Sequence, residues 1–181
     1  MLTEEQKQRL LCVARQSLRH AVDLASEPSL ETDDPVLRRP SGAFVTLKLG
    51  GMLRGCIGHI EPVYPLLLTV REMARAAALE DPRFPPVTAE EEPQIHLEIS
   101  VMSPVTPVPD LEAIEVGRHG LVVEKGPFRG LLLPQVAPEW GWNREEFLRH
   151  TCRKAGLPAD AYRRGAKVSW FEAEVFGEEE D

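Results

Sequence analysis

Two stretches of this chain repeat the same order of predicted elements, and the repeat limits the fold more than any other feature. Arg54-Gly55 matches Arg129-Gly130 at a separation of 75 positions, and Leu97-Glu98 matches Phe171-Glu172 at a separation of 74. Each stretch has the pattern strand, turn, strand, helix, strand. The sequence therefore predicts an α+β fold made of a duplicated ββαβ unit with mainly antiparallel sheet. A chance match between unrelated segments is the alternative interpretation.

The predicted elements of both repeats follow from turn residues and periodicity. Residues 43–49 and 52–58 are rich in β-prone side chains, and the two glycines between them favour a tight hairpin. Apolar positions recur at helical spacing over 66–79, and residues 95–101 alternate between apolar and polar side chains. The second repeat has strands predicted at these positions: 120–124, 128–133 and 167–176. Its predicted helix opens at Asn143 and ends at Gly156.

The predicted organisation has four parts. Residues 1–42 form an N-terminal helix, which opens with a capping box at Thr3 and Gln6, followed by a proline-rich loop. Residues 43–108 are the first ββαβ unit and residues 109–176 the second. Residues 177–181 are an acidic tail.

The charge and the cysteine content exclude several functions. The chain has 21 Lys and Arg against 29 Asp and Glu, a net charge of −8, of which half lies in the acidic tail. Proteins that bind nucleic acid or anionic membranes normally carry a basic face, so neither partner is expected. No apolar run approaches the ~20 residues of a membrane span, and no signal pattern is present. The three cysteines indicate reduced thiols and predict a cytoplasmic protein.

The segment from Arg54 to Gly58 is the strongest candidate for chemistry. Residues two apart in a strand share a face, so the sequence places Arg54 beside Cys56. A guanidinium beside a thiol favours the thiolate, which is the nucleophilic form. Gly55 and Gly58 leave room for a ligand or another backbone to come close.

A structural role for the cysteine is the competing interpretation. In a regular hairpin, Val45 would pair with Cys56, and Leu47 with Arg54. The thiol would then lie on an apolar face, as structural cysteines commonly do. Spacing alone leaves both roles open.

One face of the strand at 95–101 carries His96, Glu98 and Ser100, which are either acid–base groups or simply solvated side chains. Glu98 has a further role, because a buried Arg54 would need a carboxylate and Glu98 is the expected partner. The other histidines and cysteines show no metal-ligand spacing, and no phosphate-binding glycine loop occurs. The sequence therefore predicts no metal site and identifies no cofactor.

The hexapeptide at 53–58, Leu-Arg-Gly-Cys-Ile-Gly, resembles the signature of the AMMECR domain family, whose bacterial and archaeal members are called AmmeMemoRadiSam system protein A. Further similar segments lie at 78–84, 97–101, 132–136 and 152–157. Because the resemblance extends from about residue 10 to residue 176, the chain is identified as a single AMMECR-type domain.

The resemblance implies two unequal lobes, with the hexapeptide lining a cleft. It also implies association with a Memo-like protein and a radical S-adenosylmethionine protein, but it brings no settled reaction. We expect an enzyme, or a catalytic component, that acts on a small organic or modified substrate. Cys56 would be the nucleophile or ligand-contacting thiol, Arg54 its activator or an anion clamp, and Glu98 an orienting carboxylate. The expected substrate-binding residues are Gly55, Gly58 and Gln135. The alternative is a non-catalytic ligand-binding or adaptor module of the same system.

Overall fold

A computed structural model describes residues 1–178 and shows a mixed α+β fold with antiparallel strands. The chain divides into two compact units of unequal length. The first comprises Met1–Met102 together with the described residues from Glu174 on, and the second comprises Ser103–Ala173. Within residues 1–178 no helix is both long and apolar enough to cross a membrane.

The first unit is built around the strand that follows the proline-rich segment. Its elements are α1 (Glu4–Ala21), α2 (Pro35–Arg38), β1 (Ala43–Leu49), β2 (Met52–His59), α3 (Leu66–Leu79) and β3 (Ile95–Met102). The predicted capping box opens α1, since the Thr3 hydroxyl accepts from the Gln6 amide and the Gln6 side chain accepts from the Thr3 amide. Strand β1 is central and pairs antiparallel with β2 on one side and β3 on the other. The short helix α2, capped by Asp34, lies inside the stretch that was predicted to be a loop.

The core of the first unit lies on one face of its sheet. Alternate residues of β1 and β3, including Val45, Leu47, Leu97 and Ile99, are fully buried in one cluster with apolar residues of α1 and α3. The predicted alternation of β3 is therefore confirmed from Ile95 to Ser100, because Ile95, Leu97 and Ile99 are buried, whereas His96, Glu98 and Ser100 are partly exposed. Val101, the last residue of the predicted apolar face, is only partly buried. The polar residues of β1 and β3 occupy the face away from the two helices.

The second unit repeats the same topology. Its elements are β4 (Thr106–Pro107), β5 (His119–Lys125), β6 (Phe128–Leu132), α4 (Val136–Trp140), α5 (Arg144–Lys154) and β7 (Lys167–Gly177), whose last residues belong to the first unit. Strand β5 pairs antiparallel with β6 and β7, as β1 does with β2 and β3. Helix α5 packs on β5 and β6, as α3 packs on β1 and β2. The predicted duplication of a ββαβ unit is thus present in the fold.

The repeated Arg-Gly pair marks equivalent positions in the two units. A Cβ atom on Gly55 would lie 2.3 Å from the carbonyl oxygen of Ala77, and one on Gly130 would lie 2.2 Å from the amide nitrogen of Ala155. In both units the second strand therefore approaches a helix end so closely that only glycine fits. The shared glycine is explained by helix–strand packing.

The second sequence match does not correspond to equivalent positions. Counted across the paired strands from Gly55 and Gly130, the residue equivalent to Leu97 is Val168. The sequence match instead aligned Leu97 with Phe171, three residues further along β7. The 74-residue match is therefore wrong in register, since the loops before the last strand differ in length between the units.

The predicted acidic tail contributes to the first unit. Glu178 forms an ion pair with Arg15 of α1, and its amide donates to the carbonyl oxygen of Leu97. The other tail residues, Glu179, Glu180 and Asp181, lie outside the described residues.

Candidate functional site

A β-bulge in the first hairpin decides where Cys56 lies. Lys48 pairs with Leu53, but Leu47 pairs with Gly55, so Arg54 is an extra residue without a partner on β1. The regular pairing predicted from the sequence, which joined Leu47 to Arg54 and Val45 to Cys56, is therefore wrong.

The bulge moves Cys56 to the polar face of the sheet. Cys56 pairs with Thr46, and both are partly exposed, whereas the neighbouring Val45 is fully buried. The Thr46 hydroxyl donates a hydrogen bond to the Cys56 Sγ atom over 3.3 Å. A hydroxyl that donates to sulfur stabilises negative charge there. The surroundings of Cys56 are thus those of a polar site, and the apolar placement of the structural interpretation does not occur.

The ion pair between Asp81 and Arg83, in the segment after α3, binds the main chain of Cys56 where a further strand would otherwise pair with β2. The amide of Cys56 donates to the Asp81 Oδ2 atom over 2.9 Å, and the Arg83 Nη2 atom lies 3.5 Å from the Cys56 carbonyl oxygen. Both main-chain groups of Cys56 at the free edge of β2 therefore face side chains of this pair. The pair covers the edge and fixes the backbone that carries the thiol.

Asp81 is the buried anchor of this arrangement. Its side chain is 2% exposed and accepts from the Arg83 Nη2 atom at 2.8 Å, from Arg83 Nε and the Arg83 amide at 3.0 Å each, and from the Cys56 amide. Hydrogen bonding to Arg83, aided by the two backbone amides, holds the pKa of the Asp81 carboxyl far below its usual range. Asp81 is therefore ionised at neutral pH.

The guanidinium of Arg83 lies beside the Cys56 main chain. Hydrogen bonding to Asp81 raises the pKa of the Arg83 guanidinium. More than half of the Arg83 side chain, 55%, is exposed. The guanidinium also lies 5.6 Å from the ring centre of Phe84.

Arg54 binds a different carboxylate from the one that the sequence suggested. Its Nε and Nη2 atoms bind both carboxylate oxygens of Glu91 at 2.9 and 3.0 Å, and its Nη1 atom donates to the carbonyl oxygen of Pro85. The side chain is only 11% exposed. The bulge directs Arg54 to the segment after α3, where it fixes the chain from Pro85 to Glu91. The predicted Arg54–Glu98 pair is therefore wrong, because Glu91 takes that position.

Glu98 lies on the polar face, but its partner is Lys48. The Lys48 Nζ atom lies 2.8 Å from Glu98 Oε2, and Glu98 is directly across the sheet from Thr46. Because Thr46 pairs with Cys56 on its other side, one row across the sheet carries Cys56, Thr46 and Glu98. The sequence reasoning thus named both ends of this row, while Thr46 between them was missed.

The remaining predicted site residues have structural surroundings. Gly55 faces α3, on the opposite side of the sheet from Cys56. Gly58 lies against Phe44, since a Cβ atom there would be 2.4 Å from the Phe44 ring. Gln135 belongs to the second unit, where it is exposed and precedes α4. It is not among the side chains that the first unit assembles around Cys56.

Thr46, Asp81 and Arg83 are the site residues that the sequence reasoning missed. Asp81 and Arg83 lie in the 78–84 segment that resembles the family, and that was the available signal. Nothing in the spacing pointed to Thr46, because its pairing with Cys56 depends on the bulge. Among residues 1–178, no three side chains of the His, Cys, Asp and Glu types are grouped so as to hold a metal ion.

Fold and site together define an α+β protein of two ββαβ units, with a partly exposed cysteine on the polar face of the first. The AMMECR1 family profile matches residues 11–176, and the chain belongs to this family.

Similar proteins agree with this assignment. A protein of Methanothermobacter thermautotrophicus is 46% identical over 187 residues, which cover 98% of this chain and 97% of that protein. A protein of Pyrococcus furiosus is 49% identical over 156 residues, covering 80% and 74%. The crystal structure of an uncharacterized protein from Pyrococcus horikoshii matches with a TM-score of 0.83 at 42% identity, covering 98% of this chain and 94% of that one.

Proposed function

We propose that this AMMECR1-family chain is an enzyme, or the catalytic component of a multi-protein system, in which Cys56 attacks a small organic or modified substrate. The observation that carries the proposal is the hydrogen bond from the Thr46 hydroxyl to the Cys56 sulfur on a polar, partly exposed face. A cysteine that only filled space would be expected among apolar neighbours, as Cys152 is in the second unit.

The proposed step is a nucleophilic substitution or addition–elimination at carbon. The Cys56 thiolate donates its electron pair to an electrophilic carbon, the S–C bond forms, and the leaving group departs with the pair of its broken bond. Thr46 keeps its proton and stabilises the anionic sulfur before the attack. Glu98, held by Lys48, lies on the far side of Thr46 and is available to orient the substrate.

The proposal extends to partners through the family resemblance. A Memo-like protein and a radical S-adenosylmethionine protein would supply or consume the group that Cys56 carries. This part of the proposal rests on the family resemblance alone, and it is tested by co-purification.

Alkylation with iodoacetamide tests the reactivity of Cys56, because the other two cysteines are internal references. Cys12 is exposed, and Cys152 is fully buried with a thiol pKa raised by that burial. At pH 7 we expect Cys56 to react at least about tenfold faster than Cys12, with Cys152 slowest. Mass spectrometry of the digested protein measures all three rates in one experiment.

Two variants of one residue link that rate to the structure. Thr46→Val keeps the shape but removes the hydroxyl, so the rate at Cys56 should fall about threefold or more, whereas Thr46→Ser keeps the hydroxyl and the rate. Equal rates at Cys56 and Cys12 in the unmodified protein would refute the proposed nucleophile.

A non-catalytic adaptor is the second candidate, and the position of Arg54 favours it. Arg54 is committed to Glu91 and Pro85, so one of the three predicted catalytic residues holds the chain together instead. An adaptor would co-purify stoichiometrically with its partner proteins, and Cys56→Ser would leave the function of the assembled system intact. Loss of that function with partner binding retained would exclude the adaptor.

A further inference from the structure

The Asp81–Arg83 ion pair beside Cys56 is asymmetric in its exposure. The Asp81 side chain is 2% exposed, whereas that of Arg83 is 55% exposed. The negative end of the pair is therefore buried under the edge of β2, and the positive end is in contact with solvent.

Arg83 keeps hydrogen-bond donors that the protein does not use. Its Nε and Nη2 atoms bind Asp81, while Nη1 makes no hydrogen bond within residues 1–178. Asp81 is itself fixed by the Cys56 amide, so the guanidinium is held in one orientation next to the main chain of Cys56. A guanidinium that is held from behind and open in front is suited to an oxyanion, because its planar N–H groups match the spacing of carboxylate or phosphate oxygens.

The other cations near Cys56 lack this arrangement. Arg54 is 11% exposed and its carboxylate partner Glu91 is 26% exposed, so there the carboxylate is the more accessible end. Lys48 and Glu98 are exposed to similar extents, 36% and 30%. Of these three pairs, the one formed by Arg83 is the one that presents mainly positive charge.

We propose that Arg83 binds an anionic oxygen group, a carboxylate or a phosphate, on the substrate that Cys56 attacks. This inference rests on the proposed function and adds a substrate class to it. An anionic group on the Nη1 side of Arg83 would hold the adjoining carbon of a small molecule near the Cys56 residue. Arg83 is thus a substrate-binding residue and takes no part in bond breaking.

A pair of alkylating agents that differ in charge tests the inference. Iodoacetate and iodoacetamide both transfer a two-carbon group to sulfur and release iodide, but only iodoacetate carries a carboxylate. We expect the rate ratio of iodoacetate to iodoacetamide to be higher at Cys56 than at Cys12 of the same molecule. Arg83→Gln should lower the ratio at Cys56 about three- to fivefold, the size of effect that an exposed ion pair has, and leave the ratio at Cys12 unchanged.

The control is Arg75, an arginine of the same unit that is exposed to a similar extent and also binds a carboxylate. Arg75 is 49% exposed and binds Glu80, so Arg75→Gln removes the same charge from α3 without changing Asp81. It should leave the ratio at Cys56 unchanged. Arg83→Lys, which keeps the charge, should keep most of the ratio and covers the case in which the glutamine variant folds poorly.

The two proposals fail in different ways. A fast iodoacetamide reaction at Cys56, with no excess for iodoacetate or no response to Arg83→Gln, would overturn the anion site and leave the nucleophile intact. A slow iodoacetamide reaction at Cys56 would instead refute the nucleophile, whatever the ratio.

Competition in the unmodified protein distinguishes the two kinds of anion. Sodium acetate and sodium phosphate are each added at the ionic strength of a sodium chloride reference, which removes general screening. If acetate slows the labelling of Cys56 by iodoacetate, the ligand is a carboxylate. If phosphate slows it, the ligand is a phosphate. If neither salt slows Cys56 more than chloride does, Arg83 binds no oxyanion and the inference is wrong.

Discussion

Replacing Asp81 by asparagine tests whether this carboxylate holds the edge of β2 in place. The substitution keeps the size of the side chain but turns one acceptor oxygen into a donor. Oδ2 accepts from the Cys56 amide and Oδ1 accepts from the Arg83 amide. Whichever oxygen is replaced, the NH2 group of the asparagine faces the backbone N–H of either Cys56 or Arg83, and that N–H loses its acceptor.

The expected cost follows from these contacts. An amide left without its acceptor costs about 1–3 kcal/mol, and hydrogen bonds to a charged group are worth about 1.5–3 kcal/mol. Arg83 is largely exposed and recovers part of its loss by hydration. We therefore expect Asp81→Asn to lower the free energy of unfolding by about 3 kcal/mol. Glu80→Gln, at the adjacent exposed carboxylate that binds Arg75, should cost less than about 1 kcal/mol.

The loss should also depend on pH. Because the folded-state pKa of Asp81 lies below its unfolded value, its stabilising effect is complete above pH ~4 and declines as the pH falls below that. Between pH 6 and pH 3 the difference in the free energy of unfolding between wild type and Asp81→Asn should shrink by about 1.2 kcal/mol. This value follows from about 1.36 kcal/mol for each pH unit below the unfolded-state pKa of ~3.9.

Two measurements check these values. Urea unfolding followed by circular dichroism at 222 nm reports on the helices of the chain, α1 and α3 among them, and hydrogen exchange of the Cys56 amide reports on the bond to Asp81 itself. If Asp81→Asn costs no more than Glu80→Gln, or if the Cys56 amide stays equally protected, Asp81 does not anchor this edge.

Two further substitutions test the packing around the site. Gly55→Ala should lower the free energy of unfolding by about 2–3 kcal/mol, because the new Cβ would lie 2.3 Å from the Ala77 carbonyl oxygen. In the same urea assay Gly126→Ala, at a turn position with φ +58° and open space around it, should cost only about 1 kcal/mol, and the reverse order would contradict the packing role. Arg54→Lys should cost about 1–2 kcal/mol and speed limited proteolysis between residues 85 and 91, since lysine cannot bind both oxygens of Glu91. Unchanged cleavage there would show that this segment is held by other contacts.

Much of the fold follows from local sequence patterns. The hairpin glycines, the capping residues Thr3 and Asn143, and the alternation along 95–101 all gave elements that the structure contains. These features are local, because a turn, a helix cap or an exposed face depends on residues only a few positions apart. The shared Arg-Gly pair also indicated the duplicated unit correctly, since the same close approach of strand and helix requires glycine in both copies.

The partners within the site could not be predicted in the same way. The single extra residue at Arg54 shifts the pairing of every later residue of β2 by one. Cys56 therefore pairs with Thr46 and not with Val45. A bulge leaves little trace in periodicity, so the regular hairpin was the reasonable but wrong prediction.

The sequence by itself determined the α+β class, the repeated ββαβ order and the segment that carries Cys56. Only the tertiary structure decided which cation lies at Cys56 and which carboxylate each arginine binds. The segment after α3 folds back along β2, and there Arg83 and Asp81 meet the main chain of Cys56 while Glu91 binds Arg54. Such contacts join residues 25 to 37 positions apart, and their geometry depends on how the chain returns to the sheet edge rather than on any local pattern.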